Sequence, residues 1–306
     1  GNVTFTEADT PRVRAAMAYG ITLYPEKLAN RDYIDTIYRS DLSACCRYHC
    51  VSHFDENGLT LAARADIVEA GLAPESVKAI VAELKKNEKW TGKGTGDVLY
   101  FIDNYTAETK SVPKAFDAIM KKAKIPYQTV TGGCIGKALK ILGFRKEAKE
   151  AMQKFAQVIK NSKAKIVVVS NPAAYDALVN DYKEAGIKLG AKVMHTSEYI
   201  KSLKLKFPKK AGKLYYLESD YLKNYNNNLP APRELLAARS PRKMRIHAQA
   251  FRHEQRGILH LRRRRGGSAE DRRVAGGETG KVYRSTRGRS EEGCHCGGIP
   301  VHEALS

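Results

Sequence analysis

The sequence predicts an α/β protein with an all-helical N-terminal region. Three observations carry this reading. Residues 8–88 show apolar spacing of helical period, punctuated by caps and prolines. From residue 97 onward, short apolar runs alternate with helical stretches, the pattern of a doubly wound layer with right-handed crossovers. After Ala238 apolar periodicity stops, so order is expected to stop with it.

The elements follow in order. Pro11 sits just inside a helix start, with Asp9 and Thr10 as candidate caps. Residues 28–38 and 59–70 have helical spacing. Pro74-Glu75-Ser76 opens a helix to about Lys86 that places Val77, Ile80, Val81 and Leu84 on one face. Trp90 to Gly96 reads as a Gly-rich linker and domain boundary. It precedes a strand and lacks the spacing of a phosphate loop. Strands are expected at 97–102, 127–130, 165–170, 192–195 and 213–217. Helices are expected at 113–122, 134–142, 145–161, 172–185 and 197–203. The fully apolar run Lys165 to Ser170 is the best candidate for a central parallel strand. A weak repeat is also present. Val98 to Tyr105 followed by Val112-Pro113 echoes Lys213 to Tyr221 followed by Ala231-Pro232.

The bulk numbers set limits. A chain of 306 residues suggests two or three domains. No apolar run is long enough for a membrane helix, and the first ten residues have no signal-peptide pattern. Six cysteines, three of them between 45 and 50, do not resemble a secreted disulfide framework, so a reducing cytoplasm is expected. The net charge of +20 permits nucleic acid, acidic proteins or anionic surfaces as partners without choosing among them. Residues 1–238 hold 29 Lys and 8 Arg, whereas 239–306 hold 2 Lys and 14 Arg. Codon usage does not reverse within one gene, so this segment reads either as a disordered basic arm or as out-of-frame translation of GC-rich DNA. A zinc site at Cys294, Cys296 and His302 is only a faint signal.

The richest motif is Ser40 to Val51. A bacterial-type iron–sulfur loop reads C-x₂-C-x₂-C-x₃-C-P, because four thiolates must converge on one cube. Here the four slots hold Ser40, Ser43, Cys46 and Cys50, and Val51 stands where Pro follows. A second reading of the same stretch is available. If residues 46–53 are one helix, Cys46, His49, Cys50 and His53 share a face and could hold zinc.

A series of such half-matches resembles the cysteine-rich CCG iron–sulfur oxidoreductases, which include heterodisulfide reductase and anaerobic glycerol-3-phosphate dehydrogenase subunits. The resemblance covers about residues 9–238. Thr10-Pro11-Arg12-Val13-Arg14 matches the stretch after the family's first cluster loop, which would place that loop upstream of Gly1. Leu72-Ala73-Pro74-Glu75 matches the turn after the second loop. The family's Pro-Gly-Cys is Ile102-Asp103-Asn104 here, and Cys-Cys-Gly is Cys134-Ile135-Gly136. Cys-Pro-Gly-Cys-Tyr is Asn171-Pro172-Ala173-Ala174-Tyr175, and His-Asp-Pro-Cys is Leu217-Glu218-Ser219-Asp220. Pro232 to Leu236 then matches well.

The resemblance implies a helical ferredoxin-like region over 1–90, a Rossmann-like CCG-type α/β domain over 97–212, a second such domain begun at 213–238, and an Arg-rich tail at 239–306. It implies a 4Fe–4S cofactor with Cys46, Cys50 and Cys134 as the surviving ligands, no catalytic residue, and other redox subunits as partners. Any membrane association would pass through such a partner. The function implied is an electron-transfer subunit, or a pseudo-subunit, since most ligand positions hold Ser, Asn, Ala, Ile or Asp. The alternatives are a nucleic-acid-binding protein acting through the tail and a zinc-stabilised structural protein. Cys134 alone reads as a small buried thiol at a helix start. His195, ahead of Thr196-Ser197-Glu198, reads as a cap rather than a catalyst.

Overall fold

The structure, a computed structural model, describes residues 6–207, 214–228, 230–239 and 244–247. The arginine run at 262–265 and the Cys294, Cys296 and His302 group lie outside the described residues.

The N-terminal region is helical. It comprises α1 (Pro11–Leu23), a 3-10 turn (Pro25–Ala29), α2 (Arg31–Tyr38), α3 (Cys45–His49), α4 (Glu56–Glu69) and α5 (Glu75–Lys86). Local chemistry explains its starts. Thr10 accepts the Val13 N–H, Asn30 accepts that of Tyr33, and Asp55 accepts that of Gly58.

The remainder alternates. It runs β1 (Thr91–Gly94), β2 (Val98–Ile102), α6 (Asn104–Glu108), α7 (Ser111–Ala123), β3 (Tyr127–Thr131), α8 (Lys137–Ile141) and α9 (Arg145–Ser162). It continues with β4 (Ile166–Val169), α10 (Pro172–Asp176), a π-helical turn (Ala177–Asp181), α11 (Tyr182–Glu184), β5 (Lys192–His195) and α12 (Thr196–Ser202). After β6 (Leu214–Leu217) come a second π-helical turn (Tyr221–Tyr225), α13 (Pro230–Arg239) and β7 (Met244–His247).

Five strands form one mixed sheet in the order β1-β3-β2-β4-β5. β2, β3, β4 and β5 pair in parallel, and β1 is antiparallel to β3 on the edge. The expected linker is therefore partly a strand. Gly92 and Gly94 carry no side chain to announce a period, and a Cβ on Gly94 would sit 2.8 Å from the Tyr127 carbonyl. β6 and β7 pair in parallel in a separate two-stranded sheet. β7 lies within the segment read from sequence as an unpatterned tail.

Alternate residues of the strands feed two cores. Leu99, Phe101, Val167 and Val169 join the larger core, together with Phe155 and Ile159 of α9. Val98, Tyr100 and Val168 face Phe116 and Met120 of α7 and Tyr199 of α12. Helices therefore cover both sheet faces, which is why the central strands β2 and β4 are apolar throughout. The larger core also takes in Tyr33, Ile37 and Tyr38 of α2, Ile67 of α4, and Val77 and Val81 of α5, so one core serves both the helical region and the sheet.

Arg64 of α4 ties these parts together. It is 0 % exposed, and its guanidinium donates to the carbonyls of Ile37, Tyr38, Ser40 and Ile141 at 2.8–3.3 Å. One cation thus satisfies the carbonyl ends of α2 and α8 together. Burial pulls its pKa down to about 10, which leaves it charged at neutral pH. Tyr38 adds a bond from its hydroxyl to the Leu142 carbonyl at 3.0 Å. Gly143 follows with φ of +95°, because a Cβ there would meet the Arg64 carbonyl at 2.5 Å.

Candidate functional site

The loop ahead of α3 is held by residues far away in the chain. Leu42 and Ala44 have φ of 52° and 56°, strained values for non-glycine residues. The Leu42 carbonyl accepts from Asn57 at 3.1 Å and from the Tyr225 hydroxyl. Asn224 donates to the Ser43 carbonyl at 2.7 Å and to Cys45 Sγ at 3.3 Å, and Cys45 in turn points its thiol at Asp220, 3.7 Å away. The second π turn thus clamps the cysteine loop.

The four slots of the iron–sulfur spacing are placed as follows. Ser40 is buried, and its hydroxyl accepts the Leu42 N–H at 3.4 Å. The Ser43 N–H bonds Asp41 at 3.1 Å. Cys46 is half-buried beside the buried Arg14–Glu56 ion pair. Burial, then the Glu56 carboxylate, push its thiol up to about 11. Cys50 is partly exposed and bonds Ser52 at 3.1 Å, which lowers its pKa. A 4Fe–4S cube wants four soft thiolates. Two partly buried thiols, one of them raised well above neutrality, a buried Ser40 hydroxyl bonded to the Leu42 N–H and a second serine at position 43 do not fit it.

The zinc reading assumed one helix through Cys46–His53, and the backbone does not form it. α3 stops at His49, Cys50 is extended (φ −76°, ψ 127°), and His53 turns with φ of 50° and donates from Nδ1 to the Arg47 carbonyl at 3.2 Å. Asp55 must cap α4, so the chain has to reverse between His49 and Asp55 and no common helical face survives. Among the described residues, no three Cys, His, Asp or Glu side chains come together as a metal site.

Cys134 follows β3 and lies buried ahead of α8. Burial raises its pKa and outweighs the lowering effect of the Gly136 and Leu139 backbone N–H groups, so the helix start does not activate this thiol. His195 is the N-cap of α12, in a capping box with Glu198. Its Nε2 donates to the Ser170 carbonyl at 3.1 Å and its Nδ1 accepts the Ser197 N–H at 3.3 Å, which fixes a neutral imidazole. Burial lowers its pKa accordingly.

The residues that sequence reasoning missed surround Lys137, directly after Cys134-Ile135-Gly136. Its ammonium bonds Asp176 and Asp181 and lies 5.3 and 5.8 Å from the Tyr221 and Tyr225 rings. Burial alone lowers the Lys137 pKa, but the Asp181 and Asp176 carboxylates outweigh it and the net shift is upward. Lys140 bridges Asp181 and Glu184 at 2.8 and 2.6 Å. Asp176 and Asp181 are five residues apart, a spacing that faces one way in a π turn and not in an α-helix. No sequence signal marks that turn.

These groups line a cleft of about 690 Å³ between α4, α8, α9 and the two π turns. No protein-family model, no curated protein and no solved structure matches the chain. Among the described residues, no helix is long and apolar enough to cross a membrane.

Proposed function

We propose that this chain is a cluster-free pseudo-subunit of the cysteine-rich CCG type, which serves a heterodisulfide-reductase-like assembly by binding other redox subunits and not by carrying electrons. In this reading the helical region corresponds to a ferredoxin module, the five-stranded layer to a Rossmann-like CCG domain, and β6–α13–β7 to the opening of a second one. The parallel pairing of β6 with β7 around α13 parallels that of β2 with β3 around α7, which supports the repeat.

One observation carries the proposal. The positions that match cysteine ligands, and their neighbours, hold side chains committed to the protein's own hydrogen bonds. Asp103 caps α6 by accepting from the Thr106 N–H at 2.9 Å and its hydroxyl at 3.0 Å. Asn171 caps α10 by accepting from the Ala173 N–H at 2.9 Å. Asp220 accepts from Cys45 and Asn224. Caps of this kind stabilise by about 1 kcal/mol each without any cofactor.

The test is anaerobic iron–sulfide reconstitution of the full chain, followed by iron, sulfide and zinc analysis with a visible spectrum. A folded, colourless protein with substoichiometric metal is expected. A broad band near ~400 nm with stoichiometric iron and sulfide, lost in Cys46→Ala/Cys50→Ala, would restore the electron-transfer function.

A further inference from the structure

The cleft between the helical region and the α/β layer has features that the pseudo-subunit reading does not use. Two π-helical turns, Ala177–Asp181 and Tyr221–Tyr225, both contribute to its wall. Such turns are rare and concentrate at functional sites. Its volume of about 690 Å³ lies in the range of small-molecule sites, and it opens at the junction of separate structural layers, where such sites occur.

Charge indicates the ligand. The lining carries Arg47, Lys137, Lys140, Arg145 and Lys149 against Asp55, Asp176, Asp181 and Glu184. Three of the carboxylates are taken up by Lys137 and Lys140, and Asp55 caps α4. That leaves Arg47, Arg145 and Lys149 as the rim cations. Among the described residues, Arg145 pairs with exposed Glu69 at 3.9 Å, a contact worth little in water. Arg145 and Lys149 are one turn apart on α9, so both present to the same edge. Below them the wall turns apolar and aromatic, with Leu61, Ile141, Met152, Tyr221 and Tyr225.

We infer that this cleft binds a small amphipathic anion, a carboxylate or phosphate on an apolar or aromatic body. The oxyanion meets Arg47, Arg145 and Lys149, and the body lies against the tyrosines and the aliphatic floor. Lys137, locked by its two carboxylates, keeps the tyrosine wall in place and does not serve as the anion's counter-charge. No metal is involved, so the inference stands or falls independently of the reconstitution experiment.

The test is a fluorescence titration of the full chain with 8-anilinonaphthalene-1-sulfonate, an aromatic body with one sulfonate. Competition follows with octanoate and with AMP. Saturable binding at one site is expected, weakened about tenfold or more in Arg145→Glu/Lys149→Glu at unchanged melting temperature. Lys110→Glu/Lys114→Glu at the start of α7, which makes the same change in net charge away from the cleft, should leave it unaltered. Displacement by octanoate marks a carboxylate ligand and displacement by AMP marks a phosphate; either supports the inference. Unsaturable binding, equal weakening in both charge-reversal pairs, or displacement by neither competitor would overturn it.

Discussion

At the scale of single residues, buried polar groups decide most of what is particular to this chain. Arg64 donates to four backbone carbonyls from a fully buried position. Arg64→Met keeps the length and apolar stem but leaves these acceptors unpaired, and the expected cost is about 3 kcal/mol or more, read from denaturant unfolding. His195 gives a pH dependence. Its pKa is lower in the folded state than unfolded, so the unfolded chain binds the extra proton first. Stability is complete above the unfolded value near ~6.5 and falls as pH drops toward the folded value. His195→Asn retains a capping side chain and removes the titration. Melting curves between pH 7.5 and 5.5 should therefore change less in the variant than in the parent chain; equal slopes would exclude His195 as the source. The thiols make a third case. Among Cys45, Cys46, Cys50 and Cys134, Cys50 is partly exposed with a lowered pKa, Cys46 is pushed up to about 11, and Cys134 is buried. Iodoacetamide followed by peptide mass mapping should label Cys50 first and Cys134 only on unfolding.

At the scale of elements, the sheet was largely legible and the irregular turns were not. β2 and β4 appear in sequence because two-faced burial demands unbroken apolar runs, and α9 appears because its buried residues Ala148, Ala151, Met152, Phe155 and Ile159 recur at helical spacing. β1 escaped because two of its four residues are glycine and all four are exposed, which leaves no apolar alternation to read. The expected helix at 172–185 exists as a rod but contains a π turn, and that turn is what gathers Asp176 and Asp181 on Lys137. The expected common face for Cys46, His49, Cys50 and His53 did not survive, since the short helix between two left-handed residues cannot extend past His49. The cap of α10 offers a direct check. Asn171→Ala should lower stability by about 1 kcal/mol in chemical denaturation, with the sheet's circular dichroism unchanged.

At the scale of the whole molecule, the helical region and the sheet behave as one body because they share a core and the Arg64 and Tyr38 links. Differential scanning calorimetry should therefore show one transition for residues 11–202 and not two. Two resolved transitions would mean that the shared core is weaker than its burial suggests.

The sequence by itself determined the helical start, the alternating strands and helices, the cap role of His195 and the serines at two slots of the cluster-like spacing, because each depends on local period or on the chemistry of one side chain. Only tertiary structure decided how that loop is held. The Leu42–Cys45 loop is held by Asn57, Asn224 and Tyr225, and Lys137 finds its partners about forty residues downstream. Such pairings arise from how layers close on one another, and no spacing along the chain encodes them.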